Sequence, residues 1–210
     1  MNEINNIEEL TELLGMDLDK EVTDTVLPDP DLLTFYNNLK NREIWLDDSI
    51  DDHSLEIGKQ IMRFNKQDEG IPVEDRKPIK IYLHCYGGDA AVCFSLMDII
   101  NLSKTPVYTY NMGVAMSAAF LILISGHKRF TLPTATALIH SGSGGAQGTF
   151  EQTQAQMKDY NHTVEKMREY VLQKTKIDVK TFNKHKNSEW YMYVEDQLKY
   201  GVVDEVMSSL

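Results

Sequence analysis

A serine is a poor choice within an apolar helical run, because its hydroxyl competes with the backbone for hydrogen bonds. Yet Ser117 stands in "YNMGVAMSAAFLILISG" among Gly, Ala, Val and Leu, and a little further on "ATALIH" ends at His140. Together the two offer nucleophilic acyl transfer, in which an imidazole within hydrogen-bond reach takes the hydroxyl proton. That chemistry also needs backbone N–H groups aimed at the oxygen that becomes negative. "YGGD" supplies a Gly87-Gly88 turn whose amides no side chain covers. A helix opening at Ser117 adds the N–H of Ala118 and the positive end of its dipole. Taken alone, a small helix-packing serine and a strand-end histidine remain the stronger explanation of the pair.

The elements that must position these residues follow from hydrophobic periodicity. "REIWL" (42–46) reads as a strand, and "HSLEIGKQIMRFN" (53–65), with Leu55, Ile61, Met62 and Phe64, as a helix. "IKIYLHCY" is a strand leading into the glycine pair, and "DAAVCFSLMDIINLS" a helix with Asp89 at its N-cap. "PVYTYN", "RFTL" and "ATALIH" are further strands, with a buried helix from Ser117 to Ile124 between the first two. Strands alternating with helices predict βαβ units and a largely parallel sheet. The longest helix is expected over Phe150–Thr175, where Phe150, Met157, Val164 and Val171 recur every seven residues. Such a stripe suits packing within the domain or pairing with another subunit.

A chain of 210 residues is one domain, or one domain with an appendage, and can bury a proper core. The net charge of −11 is concentrated at the front, where residues 1–34 hold ten acids against Lys20 alone. Residues 1–34 therefore read as an acidic segment, mobile or docked on a basic partner, with one short helix in "NNIEELTELLGM". Without clustered Lys and Arg, nucleic acid is not an expected partner. No apolar run approaches a membrane span. Cys85 and Cys93 give neither a disulfide framework nor metal spacing, so a reduced, cytoplasmic setting without metal or cofactor is expected. Both cysteines read as buried filler, His84 as packing, and Trp45 and Trp190 as core or subunit-contact aromatics; His53, His127 and His162 match no motif.

In chain order, "IYLHCYGGDAAVCFSLMDII", "MGVAMSAAFLILISG", "LPTATALIHSGSGGAQG" and "YMYVEDQLKYGVVDEV" resemble the proteolytic subunit of the caseinolytic (Clp) protease. That family shows Pro-Gly-Gly after a strand, then Gly-x-Ala-Ala-Ser-Met-Gly, Leu-Pro followed by Ile-His, Gly-Gly, and Tyr-Gly-Leu-Val-Asp. "YNNLKNREIWL" is similar to its first strand and lead-in, so the resemblance spans roughly residues 35–206. It implies an α/β fold of the Clp-protease/crotonase-like ββα superhelix type over 35–210, with mostly parallel strands and a projecting handle helix from Phe150. It also implies Ser117 as nucleophile, His140 as general base, and Gly88 and Ala118 as the oxyanion-hole amides. Gly87, Asp89, Ser143, Gly144 and Gly145 fall where the family pairs with an extended substrate, a mode that reads backbone rather than sequence. Proteins of the family confine this site in two stacked seven-membered rings fed by an ATP-driven unfoldase, with polypeptides as substrates.

The departures bear on function. Counting forward from Thr175 or back from Tyr200-Gly201, the family's catalytic Asp falls on His185, and both counts agree without gaps. A carboxylate there fixes the base tautomer and stabilises its charged form; its loss costs on the order of 10⁴ in turnover. Asn183, Asn187 or Glu189 are the neighbours that could take the role, and His185 is equally read as a surface helix residue. Tyr86, Met116 and Ala118-Ala119 depart from the family's residues around the glycine pair and the serine. The acidic front bears no likeness to the family's axial loops, which leaves open whether the partner is an unfoldase or a paralogous subunit. Three functions remain: a chamber-confined serine endopeptidase, a weak or inactive structural or regulatory subunit, and an acyl-CoA enzyme of the related crotonase architecture. The Ser117 and His140 positions favour the first.

Overall fold

The computed structural model describes residues 29–209, so the helix expected in "NNIEELTELLGM" lies outside the described residues. Two units are separable, residues 1–37 and 38–210. Helix α1 (Pro30–Lys40) begins with the proline whose missing N–H is no loss in a first turn. Asp29 caps it, its carboxylate accepting the Asp31 N–H at 2.9 Å.

In the second unit, β1 (Glu43–Leu46), β2 (Ile79–Cys85), β3 (Val107–Met116), β4 (Lys128–Thr131) and β7 (Glu205–Val206) lie side by side in that order, all parallel. The expected α/β class with a mostly parallel sheet is what the chain adopts. Alternation along β2 explains its place: Ile79, Ile81, Leu83 and Cys85 are buried while Lys80, Tyr82 and His84 face outward. His84 is exposed on this face, where its ring packs against Gly113. On the same outer face Trp45, Tyr82, Tyr110 and Phe130 form a row across four strands, with centroids 5.0, 5.0 and 4.6 Å apart.

Strand β3 runs five residues past the expected "PVYTYN" because it bulges. Its register against β2 moves from Leu83–Asn111 to Cys85–Ala115, so the stretch around Gly113 has no partner there. Gly113 sits at φ 148°, and the His84 imidazole fills the space a Cβ would need. Beyond the bulge β3 changes partner. Tyr108–Asn111 pair with β4, whereas Val114–Met116 pair with β5 (Thr136–Ile139). Strand β6 (Trp190–Met192) then adds to β5 in the antiparallel sense.

The inner face carries α2 (Leu55–Gln67), α3 (Ala90–Leu102) and α4 (Ala118–Ser125), packed in that sequence. Helix α2 buries Ile57, Gly58, Ile61 and Phe64, an i, i+3, i+4 face, and this leaves Met62 pointing outward. Helix α4 is apolar all round and all eight of its residues are buried, as befits a helix enclosed by sheet and helices. Helix α5 (Phe150–Lys174) starts at a capping box of Thr149 and Gln152. Its seven-residue stripe divides: Val171 is fully buried at the C-terminal end, while Met157 is 48% and Phe150 72% exposed. The last turns belong to the core and the first turns project from it. The remaining helices are α6 (Val179–His185), capped by Asp178, and α7 (Val194–Lys199).

Candidate active site

The pairing of β3 with β5 decides the site. Met116 is opposite Leu138 in parallel register, so the next residues of both strands, Ser117 and Ile139-His140, emerge at one end of the sheet. Ser117 donates its N–H to Leu138 O at 2.9 Å. Its own backbone turns sharply into α4, at φ 54° and ψ −122°, a region that costs a serine on the order of 1–3 kcal/mol. This strain lifts the side chain out of the helix that follows, and Ser117 Oγ lies 2.8 Å from His140 Nε2. The hydroxyl is thus within proton-transfer reach of an imidazole, the first requirement of a serine nucleophile.

Two free amides flank the hydroxyl. As the first residue of α4, Ala118 has no intrahelical acceptor for its N–H. The Gly88 N–H likewise donates to no acceptor among the described residues, since the bonds of this turn run through its neighbours. Gly87 at φ 109° comes so close to the serine that a Cβ there would lie 2.7 Å from Ser117 Cβ. Gly88 at φ 152° is pressed against Ile50, with its O 2.2 Å from where a Cβ would stand. Neither glycine tolerates a side chain, and both are needed to bring the turn to Ser117.

The neighbouring residues of that turn are committed to the chain itself. Gly87 O accepts from Ile50 N at 2.9 Å, and the Asp89 N–H donates to Ile50 O at 2.8 Å. The Asp89 carboxylate caps α3, accepting from the N–H groups of Ala91 and Val92 at 2.8 and 2.9 Å. Gly87 and Asp89, expected to meet substrate, have their N–H groups occupied, that of Gly87 by Cys85 Sγ at 3.3 Å and that of Asp89 by Ile50 O. Among the described residues, nothing accepts the Gly88 N–H.

Ser143, Gly144 and Gly145 lie in an exposed stretch after His140 that forms no strand of its own. Helix α5 holds this stretch from one side. The Tyr160 hydroxyl donates to Ser141 O at 3.2 Å, and the Tyr160 ring fills the space beside Gly144, 2.9 Å from a Cβ there. The Gln156 side chain takes the place of a neighbouring strand at Gln147, accepting its N–H at 3.0 Å and donating to its O at 3.2 Å. Gly145 has nothing near its Cβ position. The backbone between these anchors is exposed.

His185 ends α6 and is half-buried rather than a plain surface residue. Its ring is stacked on Trp190, 4.1 Å between centroids and 15° between planes. His140, Ser141, Phe182, His185, Lys186 and Trp190 enclose a cleft of about 10 Å³, the room of a single water. Ser141 Oγ donates to Lys186 O at 2.5 Å and closes one side of it. Among the described residues no hydrogen bond reaches His140 Nδ1. Asn183 and Asn187 are exposed, and Glu189 accepts instead from the Tyr191 hydroxyl at 3.0 Å. The structure brings Ser117, His140, Ala118 and Gly88 together, and sets His185 beside them without a bond.

Sequence reasoning passed over the positive φ at Ser117 and the anchoring by Tyr160 and Gln156. The small residues around Ser117 were the available sign of the first; for the second, Tyr160 read only as part of the apolar face of the long helix, and Gln156 carried no sign. Trp190 is buried, whereas Trp45 is 44% exposed. Among the described residues no group of His, Cys, Asp and Glu is placed to hold a metal ion, and no helix is long and apolar enough to cross a membrane.

A sequence model of the Clp protease family matches residues 30–209 of the chain. The chain is also similar to a protein of Treponema denticola named ATP-dependent Clp protease proteolytic subunit 2, at 31% identity over 132 residues. The matched stretch is 62% of this chain and 66% of that relative, just under two thirds of its length.

Proposed function

The chain belongs to the Clp protease family, and from that premise we propose that it is a serine endopeptidase acting on unfolded polypeptides or peptides. The observation that carries this is the 2.8 Å approach of Ser117 Oγ to His140 Nε2 beside two unoccupied backbone donors. Ser117 Oγ attacks the scissile carbonyl as His140 Nε2 takes its proton. The carbonyl oxygen, now negative, is held by the N–H groups of Gly88 and Ala118, aided by the N-terminal dipole of α4. His140 returns the proton to the leaving amine, and a water activated in the same way frees the acyl group. An extended substrate adds its backbone to the open stretch at Ser143–Gly145, which favours breadth of specificity.

The projecting turns of α5, with Phe150 and Met157 exposed, support its use as a handle between subunits. Together with the family likeness this supports a protein that assembles with itself into two stacked seven-membered rings enclosing the site, with an ATP-dependent unfoldase or a paralogous subunit as partner and a cytoplasmic setting. At the third triad position, His185 lines the cleft beside His140 and holds its tautomer through the single water the cleft has room for. It cannot neutralise the imidazolium, so turnover lies well below that of a site with a carboxylate, by up to about 10⁴.

That same absence favours a second reading, an inactive structural or regulatory subunit. Labelling with a fluorophosphonate probe, wild type beside Ser117→Ala, separates the two. Labelling lost in the variant establishes an activated serine; an assembled but unlabelled wild type leaves the structural role.

A further inference from the structure

Cys85, the last residue of β2, is 1% exposed and reads from the sequence as apolar filler. Its sulfur does more than fill space. The Cys85 thiol donates to Asp48 O at 3.0 Å, and the Gly87 N–H donates to Cys85 Sγ at 3.3 Å. One side chain therefore ties the strap at 48–50 to the turn that carries Gly88. The strap binds the same turn twice more through Ile50, and Ser49 Oγ donates to Gly87 O at 3.3 Å. Gly87 is itself buried, so water does not easily replace a partner lost from its N–H. On its other side Gly87 abuts Ser117 and the Ala118 N–H. The Gly88 N–H shares its peptide plane with Gly87 O, one link on from the Gly87 N–H that Cys85 holds, so a shift of Gly87 re-aims the Gly88 amide against the serine.

We infer that Cys85 is a positioning residue of the oxyanion hole, holding the Gly88 N–H in line with Ser117 by serving at once as donor to Asp48 and acceptor from Gly87. The inference rests on the peptidase reading of this site. Burial also pushes the thiol up, which keeps the proton that the Asp48 bond uses. A side chain that merely fills the core needs the right volume there; a joint needs hydrogen-bonding capacity as well.

The variants Cys85→Val and Cys85→Ser separate these roles, because valine keeps the volume and loses both bonds while serine keeps a donor and an acceptor. Inactivation by a fluorophosphonate probe is read as maximal rate and half-saturating concentration, per assembled protein. Removing one oxyanion donor outright costs about 10²–10³ in rate, and misaiming one is expected to cost about tenfold. Cys85→Val should lose that factor in maximal rate with half-saturation unchanged, and Cys85→Ser should recover most of it. Ser49→Ala, at an exposed position, loosens the same turn without touching the core and should lower the maximal rate two- to fivefold. If Cys85→Val does not fold, Cys85→Ala and Ser49→Ala carry the comparison. A reactive wild type with unchanged rates in these variants overturns the positioning role alone, as does equal loss in Cys85→Val and Cys85→Ser. A wild type that does not react overturns the peptidase reading, and the inference with it.

Discussion

The imidazole of His185 lies flat on the indole of Trp190, 4.1 Å between centroids, and makes no hydrogen bond to the imidazole of His140 across the cleft. A ring held by stacking offers an edge nitrogen but no fixed negative charge. As the proposed base, His140 has no hydrogen-bond partner at Nδ1 among the described residues.

His185→Asp tests the consequence. A carboxylate at the end of α6 would face the same cleft and stabilise the charged form of His140. Fluorophosphonate labelling at neutral pH should accelerate by tenfold or more. No gain would show that another group already fills the role, or that losing the Trp190 stack moves α6 away.

Ser117→Ala should abolish labelling and peptide cleavage while leaving assembly intact. Because position 117 has φ 54°, alanine there keeps the strain whereas glycine relieves it. Ser117→Gly should thus exceed Ser117→Ala in stability by about 1 kcal/mol, seen as a higher melting temperature at equal protein concentration. Equal melting temperatures would mean that the turn is not strained in solution.

Gly144 and Gly145 are neighbours with opposite surroundings. A Cβ at 144 meets the Tyr160 ring at 2.9 Å, and one at 145 meets nothing within 4 Å. Gly144→Ala should displace Tyr160 from Ser141, raising KM for peptides several-fold, and Gly145→Ala should leave it unchanged. Equal effects would remove Tyr160 from the positioning of this stretch.

The Asp68 carboxylate accepts hydrogen bonds from both terminal nitrogens of the Arg42 guanidinium at 2.6 Å and from the Thr105 hydroxyl at 2.8 Å. The hydrogen bonds from Arg42, foremost, hold its carboxyl below the usual carboxylate range. A depressed folded-state pKa contributes stability that is present above the unfolded value and is lost as pH falls through the folded value. Asp68→Asn should therefore destabilise by about 3–5 kcal/mol at pH 7, since it leaves Arg42 unpaired. That gap should narrow below the usual carboxylate range in urea denaturation of both proteins. A gap constant with pH would mean that packing, not charge, is what the residue supplies.

Much of the architecture was readable in the residues. The alternation of β2, the Asp89 cap of α3 and the span of α5 all follow from local chemistry, and each lies within a residue or two of its expected place. What escaped was non-local. The bulge at Gly113 depends on His84 of another strand, and it extends β3 beyond the apolar pattern that marked it. Cys85 looks like any small buried residue until the carbonyl of Asp48 and the N–H of Gly87 are placed beside it.

By itself the sequence determined which elements form and which residues could be nucleophile and base, because periodicity, caps and side-chain chemistry belong to short stretches of chain. Only the tertiary structure decided that Ser117 and His140 meet, that Gly88 keeps a free amide while Gly87 and Asp89 do not, and that His185 stacks rather than bonds. Each of these depends on a strand pairing or a close contact between segments far apart in the chain. Such contacts are settled by register and packing, which a one-dimensional pattern does not carry.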